Sequence, residues 1–137
     1  MPKASTLSPG AVKLLQEPQL AHFTTIMADG TPQPTPVWVD VEADGGHILI
    51  NTADGRVKTE NIDRDPRVAV SVADKANDFR FVVVRGTVVE RVHEGADAHI
   101  DALAKKYLGV GVYPGHTDKE RRVILRIKPE HVMERGV

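Results

Sequence analysis

The run Asn51 to Thr59, N-T-A-D-G-R-V-K-T, sets two cations, Arg56 and Lys58, beside two hydroxyls, Thr52 and Thr59. It follows directly on Ile48, Leu49 and Ile50, an apolar triplet that reads as a short buried strand. Asn51, Thr52, Asp54 and Gly55 are turn formers, so the chain leaves the sheet there. Arg56, Lys58 and Thr59 then open a short helix carrying Asn61 and Ile62, which Asp65-Pro66 ends. Cations, small hydroxyls and the free N–H groups of a helix start, gathered at one point, have the chemistry to hold a phosphate. The run therefore reads as the anchor of a phosphorylated cofactor. A solvated helix start would use the same residue types, and on this segment alone the two readings stand side by side.

A second informative stretch is T-P-Q-P-T-P-V-W-V-D-V, residues 31–41. Pro32, Pro34 and Pro36 have the same parity, so in an extended chain all three missing N–H groups fall on one edge. Such a segment cannot lie inside a sheet; it must border an opening, where it either faces a ligand or guards an edge against aggregation. Trp38, the only tryptophan, fits core packing, with contact to a ligand as the second reading.

These stretches need a frame. Ser8 caps a helix that begins at Pro9 and carries Ala11, Leu14 and Leu15 on one side until Glu17-Pro18, which makes it a lid on a sheet. Leu20 to Ala28 is a strand, and Asp29-Gly30 turns it back into the proline-rich one. Arg67 to Ala73 alternates, with Val68, Val70 and Val72 on one face. Phe79 to Glu90 is the longest strand; its Val82-Val83-Val84 centre implies burial on both faces, as in a barrel wall that also meets a second subunit, and Gly86 marks a bend. A helix follows from Glu94 to Leu108, with Ile100, Leu103, Ala104, Tyr107 and Leu108 as its apolar stripe, Asp97, Asp101, Lys105 and Lys106 facing water, and Gly109 closing it. The loop with Tyr113 and His116 looks flexible, and Thr117 to Glu120 has capping-box spacing that should nucleate a short turn. Arg121 to Val132 is the last strand, with Val123, Leu125 and Ile127 on one face and Arg122 and Arg126 on the other. Six or seven short antiparallel strands with one crossover helix and one covering helix make a mainly β fold, a small barrel in a single domain spanning 1–137.

Composition excludes several classes. The 137 residues carry 18 Lys+Arg against 19 Asp+Glu, a formal charge of -1, without the basic excess of a nucleic-acid binder. There is no cysteine, so thiolate metal sites and disulfides are excluded, and six scattered histidines form no ligand pair; no metal is expected. No apolar run is long enough to span a membrane, and the amino terminus lacks a signal-peptide core, so a cytoplasmic location is expected. No nucleophilic triad, G-x-S-x-G motif or carboxylate dyad is visible.

With those residues in view, the chain resembles the flavin-binding family of pyridoxamine 5'-phosphate oxidases. There a T-N-x-x-S-R-K-x-x-x-L run is followed by N-P-R and a strand. Here N-T-A-D-G-R-V-K-T-E-N-I is followed by D-P-R-V-A-V-S-V. Val57, inserted between the two cations, brings the spacing closer to the family's branch that uses the deazaflavin coenzyme F-420, and the closing R-R-V-I-L-R-I-K-P-E-H-V is similar to that branch's last strand. The likeness runs from about Ser8 onward; the long carboxyl-terminal dimer segment of the true oxidases is missing. It implies a split β-barrel of FMN-binding, antiparallel Greek-key type. The resemblance further implies that Arg56 and Lys58 pair with the cofactor phosphate, that Thr52 and Thr59 add hydroxyl bonds, and that Asn51 positions the backbone beside the ring. Thr35, Pro36, Val37 and Trp38 would line the ring edge, with Tyr113 and His116 as substrate-side residues from a facing subunit of a homodimer. The activity implied is hydride transfer from reduced F-420 to an unsaturated small molecule such as an enone, a quinone or a tetrapyrrole. FMN in place of F-420, a non-catalytic cofactor-binding protein and, more remotely, a haem-handling barrel are the alternatives.

Overall fold

The computed structural model describes residues 5–137; positions 1–4, part of the amino terminus expected to lack a signal-peptide core, lie outside the described residues. In chain order the elements are α1 (Pro9–Gln16), β1 (Ala21–Ile26), β2 (Pro32–Val37), β3 (Asp40–Val41), β4 (Ile48–Ala53), α2 (Val57–Arg64), β5 (Arg67–Asp74), β6 (Asn77–Val92), α3 (Ala96–Leu108) and β7 (Arg122–Arg135). The seven strands among the described residues form one antiparallel sheet in the order β2-β1-β5-β6-β7-β4-β3.

That order explains the barrel. The two outermost strands, β2 and β3, are joined only through Trp38 and Val39. Three Cα steps reach about 11 Å at most, so the sheet has to curl until its edges nearly meet. It cannot zip shut, because Pro32, Pro34 and Pro36 sit opposite Ile26, Thr24 and His22 of β1 and leave their donorless edge facing outward. The result is a split β-barrel, with β4, β7, β6 and β5 side by side as a Greek key.

The inward face follows the alternation in the sequence. Phe23, Val70, Val72, Val82, Val84, Ile48, Ile50, Val123, Leu125 and Ile127 are buried in one core, each contributing roughly 1.5–3 kcal/mol. Ser8 caps α1 by accepting from the Ala11 N–H at 3.1 Å, and the helix lays Ala11, Leu14 and Leu15 against β3, β5 and β6. On β6, Val82 and Val84 point inward while Val83 is half-buried on the outer face, and the ladder to β7 slips at Arg85/Gly86, where the bend was expected.

Two expectations about α3 are corrected. Leu108 lies outside the apolar stripe at 54% exposure, and Lys106 does not face water. Its Nζ donates to the carbonyls of Leu15, near the end of α1, and Val39, both at 2.7 Å. Burial pushes its pKa down to about 8, with Asp40 opposing. In the unfolded chain the amine titrates near 10.4, so between about pH 8 and pH 10 the unfolded state holds a proton that the folded state has released, and stability rises with pH across that window. Lys106→Met should lose this gain: measured by urea unfolding, the parent's advantage over the variant should grow by about 2 kcal/mol from pH 7 to pH 10. A constant difference would mean that the amine keeps its ordinary titration.

Candidate functional site

The split between β2 and β3 opens into a cavity of about 290 Å³ lined by Leu20, Thr35, Pro36, Val37, Trp38, Asn51, Thr52, Arg56, Lys58, Ile100, Tyr113 and Arg122. Nine of the eleven residues singled out in the sequence are on that wall; Thr59 and His116 are not. Leu20, Ile100 and Arg122 were not anticipated.

β4 carries the chain out of the barrel at Ala53, and α2 begins at Val57 with Arg56 as its cap residue. Among the described residues no side chain accepts from the first turn of α2, which leaves its first amide donors unpaired beside Arg56 and Lys58 of the cavity wall. Thr59 is corrected to a supporting role. It is 3% exposed, and its hydroxyl turns inward to the carbonyl oxygens of Arg56 (2.8 Å) and Ala53 (3.3 Å), closing the turn that aims Arg56. Thr52 behaves differently. At 2% exposure its Oγ1 has no hydrogen-bond partner among the described residues, a costly state for a buried hydroxyl, and its pairing with Val123 turns it to the core face, away from Asn51 and Arg122.

The cations are not equivalent. Arg56 is held by Glu120 through Nε and Nη2, at 2.9–3.1 Å. The Thr117 segment forms the short turn its spacing predicts, and the Glu120 side chain at its end serves the pair with Arg56. Lys58 has no carboxylate partner among the described residues. Burial lowers its pKa, and the charges of Arg56 and Arg122 lower it further. Arg122 is 8% exposed, and its pKa is also lowered, first by burial. Three converging positive charges with one carboxylate among them are an arrangement that an anion relieves.

The other wall is aromatic. Trp38 stacks on Tyr107 at 5.2 Å and 7° and meets Tyr113 edge-on at 5.9 Å, so it both packs and faces the cavity. The Tyr107 hydroxyl donates to Gln19 O at 2.6 Å and accepts from Val39 N–H at 3.1 Å, which fixes the stack against the β2–β3 connection. The loop after α3 is tied down where flexibility was expected: Asp101 accepts from the Tyr113 N–H at 2.8 Å and pairs with His116 at 2.7 Å. Tyr113 thus reaches the cavity of its own chain, and its ring lies over Gly115, where an added Cβ would come within 2.6 Å of it. His116 only buttresses that ring, edge-on at 5.6 Å.

The sequence profile of the pyridoxamine 5'-phosphate oxidase family matches residues 7–136. The chain belongs to this family. Among solved structures of similar fold, an F420 reductase is 31% identical with a TM-score of 0.81, covering 93% of this chain and 98% of that one. A conserved hypothetical protein from Mycobacterium tuberculosis is 26% identical (TM-score 0.69, 94% and 85% covered). A FAD-binding protein from Mesorhizobium loti, 23% identical with a TM-score of 0.62 and coverage of 96% of both chains, shares the fold. No curated protein matches the chain. As in the family pattern, the cations of this pyridoxamine 5'-phosphate oxidase relative follow its exit strand, but Arg122 comes from β7, far along the chain from Lys58. A positional signal for it existed: antiparallel pairing of the anchor strand with the last strand sets Ala53 opposite Arg122.

Proposed function

We propose that this protein is an oxidoreductase that binds the deazaflavin coenzyme F-420 in the split of its barrel and serves hydride transfer to an unsaturated small molecule. One observation carries the reading: the cavity joins a cationic end, with Lys58 and Arg122 short of acceptors among the described residues, to an aromatic, proline-edged wall. A phosphate fits the first end and a flat conjugated ring the second, and the likeness to an F420 reductase at 31% identity supports the choice of deazaflavin.

When bound, the deazaflavin supplies the hydride; the chain supplies position and polarity. Lys58 and Arg122 neutralise the phosphate, with Arg56 adding what Glu120 leaves free. The edge of β2 at Pro36 offers no N–H, so a ring laid against it meets a surface that cannot recruit another strand. Trp38, Tyr113, Leu20 and Ile100 keep water from the reacting face. A volume of about 290 Å³ encloses only part of such a coenzyme, and a second copy of the chain in a homodimer completes the site.

Parallel titrations with F-420 and FMN, followed by fluorescence, test the assignment, with sedimentation of the same samples reading the dimer. F-420 binding in the micromolar range or tighter, with FMN weaker and reduced F-420 oxidised in the presence of an enone or quinone panel, is the expected result. Preference for FMN would move the protein to the flavin-dependent side of the family; tight binding without turnover of any acceptor would make it a cofactor carrier.

A further inference from the structure

The cavity's least expected cation is held by a chain of three further side chains that runs away from it. Arg122 Nε donates to Asn51 Oδ1 at 2.9 Å. The Asn51 amide spends its two hydrogens on Ala96 O at 2.9 Å and on His99 Nδ1 at 3.0 Å. Because that nitrogen accepts, the His99 proton must sit on Nε2, which donates to Asp40 Oδ2 at 2.9 Å. The other oxygen of Asp40 accepts from the Val41 N–H at 2.8 Å. Burial works against the Asp40 carboxylate, yet these hydrogen bonds and the nearby Lys106 charge keep it below its ordinary range.

The direction of every bond is forced. Reversing the Asn51 amide would set its NH2 against the Arg122 N–H and its oxygen against the Ala96 carbonyl, two repulsive contacts in place of two bonds. The chain is pinned to backbone groups at its Asp40 end, by Val41 N–H, and at Asn51 next to the arginine, by Ala96 O. Two facts show what this arrangement serves. Arg122 is nine-tenths buried, lines the cavity and rests over the Tyr113 ring at 5.4 Å. Its Nη1 and Nη2 have no acceptor among the described residues, so only Nε is committed and the rest of the fork stays free.

We propose that Asp40 and His99 are positioning residues which, through the Asn51 amide, lock the Arg122 guanidinium with its Nη groups free to take the anionic group of the ligand. The proposal rests on the reading of the cavity given above and extends it to residues that do not touch the ligand. Asp40→Asn is the discriminating variant. Asp40 offers two acceptors, to Val41 N–H and to His99 Nε2–H; an asparagine offers one. It must therefore either drop the Val41 bond or drive the His99 proton to Nδ1, against Asn51.

The experiment is a double-mutant cycle of Asp40→Asn and Arg122→Gln on the full chain, with F-420, FMN and inorganic phosphate as probes. Each single variant should lose about ten- to a hundredfold in affinity for whichever phosphate-bearing probe the parent binds, and the double variant should be no weaker than the weaker single within about twofold, as residues acting as one unit require. Losses that multiply, or an Asp40→Asn protein that binds like the parent, would overturn the relay. Nitrogen-15 NMR of the unliganded parent supplies a readout that needs neither ligand nor a folded variant: a slowly exchanging Arg122 Nε–H and an Nε2–H tautomer at His99 are expected, and an Nδ1–H tautomer rejects the relay outright. Should the parent bind none of the three probes, the cofactor reading falls and with it the ligand role of Arg122, whatever the tautomer.

Discussion

Gly86→Ala is expected to destabilise the fold by about 3 kcal/mol or more, which for a chain of this size lowers the melting temperature by roughly 10 °C. A Cβ on Gly86 would overlap the Lys128 carbonyl oxygen, and Ile127 Cγ2 already lies 3.4 Å from where it would stand. The obstructing atom is backbone, so no rotamer change relieves it; β7 has to move off β6 at the bulge between Arg85 and Gly86. That bulge sits where the longest strand bends, and β7 is the strand that carries Leu125 and Ile127 into the core and Arg122 to the cavity. Gly111→Ala is the matched control, since nothing lies within 4 Å of its Cβ position and its backbone is not left-handed; it should stay within about 0.5 kcal/mol of the parent. Urea midpoints at constant slope measure both. Coincident midpoints for the two variants would show that β6 and β7 do not approach as described.

The amino-acid sequence is legible wherever a local period or a turn residue dictates the outcome. The alternation of Val68, Val70 and Val72, the Ser8-Pro9 helix start, the Asp29-Gly30 reversal and the proline parity of β2 each involve neighbours a few positions apart, and each stands as expected. That Thr52, Arg56 and Lys58 share one cavity wall was legible for the same reason, because they leave the barrel together. The parts that escaped are those decided by long-range partners. Arg122 could be put on the correct face of the last strand, but nothing local says that this face meets Asn51. His99 and Asp40 are 59 residues apart, and neither has a motif around it. Lys106 had a sufficient local account, a cation in the last turn of a helix. Its actual partners, the carbonyls of Leu15 and Val39, come from elements that only the curl of the sheet brings beneath α3. Thr59 shows the converse error: its residue type suits a phosphate site, and the turn it closes uses the hydroxyl first.

Lys58→Ala should weaken binding of the phosphate-bearing cofactor by about 1.5–3 kcal/mol, roughly ten- to a hundredfold, the size of a charge-assisted hydrogen bond. The same change should leave the unliganded protein as stable as the parent or slightly more so, and the two signs together are what distinguish a binding cation from a structural one. Burial and then the fields of Arg56 and Arg122 lower the Lys58 pKa, so at neutral pH its charge costs the unliganded fold stability. The sign follows from linkage: a lysine whose folded pKa lies below its unfolded one penalises the folded state while charged, and the penalty fades as pH rises from the lowered value toward the ordinary lysine range. A bound phosphate reverses the balance by giving the ammonium an acceptor that no carboxylate among the described residues provides. Arg56 cannot show this contrast as cleanly, because Glu120 already neutralises it. Lys13 on the exposed side of α1 is the comparison lysine, and Lys13→Ala should change neither quantity. Fluorescence titration and urea unfolding of the three proteins decide the matter: a Lys58→Ala protein that unfolds early, or that binds as tightly as the parent, would remove Lys58 from the phosphate site and leave the cationic end of the cavity to Arg56 and Arg122.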